Sequence, residues 1–95
     1  MPIEPGRHGG LECPGEVVYA LPVRGGQTLT ARIDFAHADG DLDLAIQDEA
    51  GNELVKSETT EDSEQVRWTA PLDMIVQIRV HNAPNVFDLT LELSE

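Results

Sequence analysis

The sequence predicts an all-β protein in which two antiparallel sheets pack face to face as a sandwich. Three observations predict it. Apolar residues recur at every second position through seven segments of 5 to 9 residues. Turn residues separate these segments, and no stretch carries apolar residues at helical spacing. Clean alternation gives a sheet one buried and one solvated face, and two such sheets bury their apolar faces against each other.

The elements follow in order. Residues 1–14 hold three prolines and are rich in glycine, so they read as a lead segment or linker, with the folded domain spanning 15–95. In EVVYALPV, Val17, Tyr19, Leu21 and Val23 share one face, and RGGQ turns the chain. TLTARIDF places Leu29, Ala31, Ile33 and Phe35 inward, with Thr28, Thr30, Arg32 and Asp34 outward. DLDLAIQD places Leu42, Leu44 and Ile46 inward. EAGN is a tight turn, and a short strand follows near Glu53 to Ser57. KSETTEDSE is a polar connection. EQVRWTA aligns Val66, Trp68 and Ala70, DMIVQIRVH aligns Met74, Val76, Ile78 and Val80, and VFDLTLEL aligns Phe87, Leu89, Leu91 and Leu93.

Composition bounds the function. Ninety-five residues support one domain with one core, and only four aromatic residues are present, so that core is mostly aliphatic. The formal net charge is -12, from 18 acidic and 6 basic side chains. A chain so acidic lacks the basic face that nucleic-acid phosphates require, and it suits cations or a basic protein surface instead. No apolar run approaches the roughly 20 residues of a membrane span, so membrane insertion is not expected. The first residues lack the apolar stretch of a secretory signal. Two placements follow: the cytoplasm if Met1 is the native start, or the outside of the cell if the domain belongs to a longer exported protein.

Catalytic constellations are not expected. His8, His37 and His81 stand far apart, without metal-ligand or protease spacing. Cys13 is the only cysteine, so there is no internal disulfide. Its glutamate neighbours in ECPGE would hold its thiol protonated, which points to packing rather than nucleophilic attack. Trp68 shares a face with Val66 and Ala70 and reads as core rather than as a sugar-binding platform.

ADGDLDLAIQDEAGNEL is the one stretch with metal-like spacing. Asp39, Asp41 and Asp43 alternate as in a calcium loop. An EF-hand starting at Asp39 needs glycine sixth and glutamate twelfth, and those positions hold Leu44 and Ala50, so that motif fails. A non-helical calcium site remains, because Asp41 and Asp43 project from one face of a strand with Asp39 at the loop end. The alternative is that these are solvated outward residues, or that one of them accepts hydrogen bonds from the backbone N–H groups of a neighbouring loop.

The order GEVVYALPVRGGQTLTARIDF, GDLDLAIQDEAGNEL, SETTEDSEQVRWTAP, VQIRV and FDLTLEL resembles the bacterial pre-peptidase C-terminal domain over about residues 11 to 93. The resemblance implies a jelly-roll-like sandwich of about seven to eight strands, non-catalytic and usually appended to secreted proteases or surface proteins. It implies a protein or extracellular-matrix-like polymer as partner. Relatives in collagenases bind collagen and calcium, and a calcium role then falls on Asp41 and Asp43 of the Asp-Leu-Asp-Leu pattern. The chain departs from the family at LDMIVQIRV, where members commonly carry Gly-Tyr-Tyr. Collagen-binding relatives rely on exposed tyrosines, whereas Tyr19 is the only tyrosine here and reads as inward.

Overall fold

A computed structural model describes all 95 residues, Met1–Glu95. Six strands follow in order: β1 (Gly6–Val23), β2 (Thr28–Phe35), β3 (Asp43–Asp48), β4 (Glu53–Ser57), β5 (Ser63–Thr69) and β6 (Met74–Ser94). A single 3-10 turn, His37–Asp39, lies between β2 and β3. The longest strand cannot be straight. At about 3.3 Å per residue the 21 residues of β6 would reach roughly 70 Å, yet the longest dimension of the molecule is 38 Å.

The bend in β6 makes the sandwich. Its first half pairs with β3, in a ladder from Asp43 opposite His81 to Asp48 opposite Val76. Its second half pairs with β2, from Phe35 opposite Phe87 to Thr28 opposite Ser94. β1 follows β6 along nearly its whole length, and β4 and β5 complete the layers outside β3 and β2. One layer is therefore β4, β3, the first half of β6 and the second half of β1. The other is β5, β2, the second half of β6 and the first half of β1. All ladders between these strands are antiparallel.

The bend is written in the apolar phase. Val76, Ile78 and Val80 are buried at even positions, while Phe87, Leu89 and Leu91 are buried at odd ones. One extra residue in β6 between Pro84 and His81, relative to the two-residue step from Pro14 to Glu16 in β1, accounts for the switch. Asn82 takes up the distortion with a φ of 99°, and Gly15 faces it with a φ of 139°.

The buried faces match the alternation. Val17, Tyr19, Leu21 and Val23, then Leu29, Ala31, Ile33 and Phe35, then Leu42, Leu44 and Ile46 enter one core with Val66 and Ala70. Trp68, Met74 and Leu93 pack against its margin. Burying a Leu, Ile or Val side chain yields about 1.5–3 kcal/mol, so this aliphatic core dominates the stability.

Two sequence expectations change. Residues 6–14 are not a lead but the first half of β1, paired to β6 from Gly6 opposite Leu91 to Pro14 opposite Pro84. β1 is an outer strand, where proline and glycine are tolerated, and Cys13 within it is 2% exposed in the core. The seven expected segments become six strands because the last two are halves of β6. Counted by layer, the bent strands contribute twice and each layer has four segments.

Candidate functional site

The turn between β2 and β3 is held onto the bend of β6. Asn85 donates through Nδ2 to the carbonyls of Ala36 and Gly40 at 2.9 and 2.8 Å. Asn82 Nδ2 donates to the Asp41 carbonyl at 3.1 Å. Gly40 sits so close that a Cβ would lie 2.6 Å from the Pro84 carbonyl oxygen, and its φ of 149° also favours glycine. From the other side, the His37 N–H donates to Asp62 Oδ1 at 2.8 Å, and the Phe35 N–H to the Asp62 carbonyl at 2.9 Å. Two connections and a strand bend thus fix where β3 begins.

Three carboxylates converge there. Asp41 precedes β3, Asp43 opens it and Glu64 lies at the start of β5, with one oxygen of each within 4.8 Å of the others. Such a set could hold a metal ion. Of the residues the sequence singled out, the fold brings Asp41 and Asp43 together. Asp39 lies on the exposed 3-10 turn, outside this group.

The surroundings of the three differ. Glu64 is 1% exposed and well satisfied: it accepts from Ser57 Oγ at 2.5 Å and from the Thr59 N–H and Oγ1, both at 2.7 Å. The sequence leaves Asp43 as a calcium ligand, a solvated outward residue or an acceptor for loop N–H groups, because it alternates with Leu42 and Leu44. It is 8% exposed and not solvated, because β3 meets β5 here rather than open water. Burial first, then the charges of Asp41, Glu58 and Glu64, push its carboxyl above the ordinary range, against the opposing influence of His81. Asp41 Oδ1 lies 3.2 Å from His37 Nδ1, but the two are not aligned as a hydrogen bond and neither atom has another partner.

Sequence reasoning missed Glu64. Its signal was present, since Glu64 is in phase with Val66, Trp68 and Ala70 and opposes the buried Ile33 across the β2–β5 ladder. A charged residue on an inward face marks a place where something must compensate it.

A second feature is a shallow hollow over the bend of β1 and β6. Apolar Pro14, Val17, Val18 and Val86 line it together with the acidic Glu12 and Glu16. Val86 is 55% exposed. Glu16 is held by Arg79 at 2.8 Å.

A known structure fits this architecture over almost its whole length. The pre-peptidase C-terminal domain of collagenase from Bacillus anthracis superposes with a TM-score of 0.73, covering 96% of this chain and 92% of that one, at 11% sequence identity. The fold is that of a pre-peptidase C-terminal domain. The same fold aligns with Aeromonas hydrophila PliG, a periplasmic inhibitor of g-type lysozyme, at a TM-score of 0.72 and 14% identity, covering 98% of this chain and 94% of that one. No protein-family model matches the chain, and no curated protein matches it in sequence. The fold is thus shared with both structures at low sequence identity. No helix of the chain is long and apolar enough to cross a membrane.

Proposed function

We propose that the chain is a non-catalytic accessory domain of the pre-peptidase C-terminal type, serving an exported protein in targeting, adhesion or stability outside the cytoplasm. The observation that carries this reading is the near-complete overlap with the collagenase accessory domain, 96% of one chain on 92% of the other. Cys13, the one thiol, is buried with Sγ 3.5 Å from the Val80 carbonyl, which supports packing rather than chemistry. Tyr19 is also buried, so no tyrosine is offered to a collagen-like polymer.

A second reading has its own support: a protein-interaction module that recognises a basic protein. The periplasmic lysozyme inhibitor shares the fold, and the net charge of -12 favours a cationic partner. Four of the six basic side chains, Arg7, Arg32, Lys56 and Arg79, are paired with acids, leaving a surface dominated by unpaired carboxylates. The hollow, lined by apolar and acidic residues, suits such a contact.

One binding experiment tests both readings. Immobilised domain is challenged with g-type lysozyme, an acidic protein of similar size and fibrillar collagen at about 150 mM salt. Saturable binding of lysozyme, weakened about tenfold by Val86→Asp at the hollow, favours the basic-protein module. Binding to collagen alone returns the weight to matrix targeting. Lysozyme binding that vanishes at moderate salt and ignores Val86→Asp is charge attraction without a site, and would sink the second reading.

A further inference from the structure

We infer that residues 18–22 on the outer edge of β1 are a strand-addition site for an extended basic segment of a partner protein, and that the chain's own residues 1–3 hold this site until the partner displaces them. The inference rests on the basic-protein reading above and names how such a partner is held. Residues 1–3 run parallel to β1 and bond to it as a strand does. The Ile3 N–H donates to the Ala20 carbonyl at 3.0 Å, and the Ala20 N–H donates to the Met1 carbonyl at 2.7 Å. The Met1 amino group donates to the Val18 carbonyl at 3.3 Å. The Ile3 side chain packs against the margin of the core. The chain's own segment thus shows what the edge accepts: backbone pairing, with an apolar side chain turned inward.

β1 offers this edge because of how the two layers end. A sheet edge presents a row of unpaired N–H and C=O groups that can template another strand. β4 and β5, the outer strands opposite β1, lie against each other across the seam between the layers. The first half of β1 is interrupted, because its register with β6 shifts between His8 and Leu11 and Gly10 there has a φ of 64°. From Glu16 to Val23 the register runs without a shift. Alternation turns the backbone groups of Ala20 outward, and with them those of Val18 and Pro22. Pro22 has no N–H, and in this phase its absence removes no bond to β6. Residues 1–3 satisfy only part of the row, so a longer strand makes bonds that they do not.

The surroundings of the edge select the partner's chemistry. In strand addition the main chain gives affinity and the flanking hollows give specificity. Glu12 and Glu16 line the hollow at the Val18 end, beside apolar Val17 and Val86. Arg79 pairs with Glu16, which leaves Glu12 for a cation brought by the partner. Leu11 and Tyr19 line a second hollow with Ile3 itself. An incoming segment therefore needs an apolar residue where Ile3 stands and a lysine or arginine near Glu12. An acidic segment meets these carboxylates and the net charge of -12, and is repelled. The chain's own segment can leave through Glu4 and Pro5, where the His8 ring Nε2 lies 2.8 Å from the Glu4 carbonyl. Gly6, with a φ of 120°, makes the turn into β1.

The test is fluorescence anisotropy on the full chain with a short labelled peptide of alternating lysine and valine, at about 150 mM salt. Saturable binding is expected. It should be lost when the peptide's backbone nitrogens are methylated, and lost again when glutamate replaces its lysines. Ala20→Pro removes an outward N–H and no bond to β6, and should weaken binding about tenfold. Ile3→Ser loosens residues 1–3 and should tighten binding about fivefold. Thermal melts check that both variants fold, and the methylated peptide decides the matter if Ala20→Pro does not. Equal binding of the methylated peptide, or binding that ignores both variants, overturns strand addition. If g-type lysozyme then still binds in a manner that depends on Val86, the basic-protein reading survives on its own. If neither peptide nor lysozyme binds, both fall. Dimers of Ile3→Ser in gel filtration would give the edge to a second copy of the chain and overturn the basic segment.

Discussion

Asp43 and Asp48 sit five residues apart at the two ends of β3, and the fold treats them in opposite ways. Asp48 is met by its own turn: Oδ1 accepts from the N–H groups of Ala50 and Asn52 at 2.9 Å, and Oδ2 from Asn52 Nδ2 at 3.0 Å. The Asn52 side chain and backbone, with the neighbouring turn N–H groups, hold its carboxyl below the usual range. Asp43 is met by other acids, and its carboxyl is pushed up by burial and by Asp41 and Glu58. The difference teaches that an acidic strand end is decided by what else arrives there. A turn supplies donors from four residues away, whereas a seam supplies whatever the opposite layer carries.

The largest expected effect breaks only the Asp43 end. Gly40→Ala places a Cβ 2.6 Å from the Pro84 carbonyl in a backbone conformation that favours glycine. Left-handed strain and overpacking together should cost about 2–4 kcal/mol. Hydrogen exchange separates the two ends: amides of the 36–43 turn should lose protection first, while those of the Asp48 turn keep theirs until global unfolding. Equal loss at both ends would show that β3 responds as one unit and that the contrast is only local chemistry.

The next effect has the opposite sign. Asp43→Asn removes a buried charge set among other acids, with His81 alone opposing them, and should stabilise the fold by about 1 kcal/mol. A raised folded pKa means that Asp43 favours folding fully below the ordinary aspartate value, near about 3.9. That contribution is lost as pH rises through the folded value. The advantage of Asp43→Asn over the parent should therefore be absent in acid and grow toward neutral pH. Urea melts at several pH values measure it, and a constant gap would mean that the charge of Asp43 is already compensated.

Most of the fold was legible because it rests on alternation. Every inward set assigned from β2 and from both halves of β6 joins the core or its margin, since period-two burial is a local property of a strand. Residues 6–14 were not legible, because Gly9, Gly10, Pro14 and Gly15 spell a loop to any local rule. They are strand only because β6, some seventy residues on, offers a long edge. The candidate site divides in the same way. Asp41 and Asp43 stood out by spacing, but the burial of Asp43 and the partnership with Glu64 come from β5, which meets β3 through the topology alone. The turn acceptor role of Asp48 was open to view in DEAGN, where donor and acceptor are neighbours in the chain.

The smallest effect sharpens the contrast from the Asp48 side. Asp48→Asn keeps an oxygen that can accept from Ala50 and Asn52 while removing the charge, so it isolates electrostatics from turn geometry. Asp48 has a depressed folded pKa. Its contribution is therefore present above the ordinary aspartate value, near about 3.9, and disappears as pH falls through the folded value. The variant should melt slightly below the parent at neutral pH and match it in acid, the reverse of the trend for Asp43→Asn. Exposure to solvent keeps the effect small, and salt should shrink it further. If both variants instead follow the same slope with pH, the two ends of β3 feel only the net charge of the chain. The local donors and the buried seam would then not be what sets the two aspartates apart.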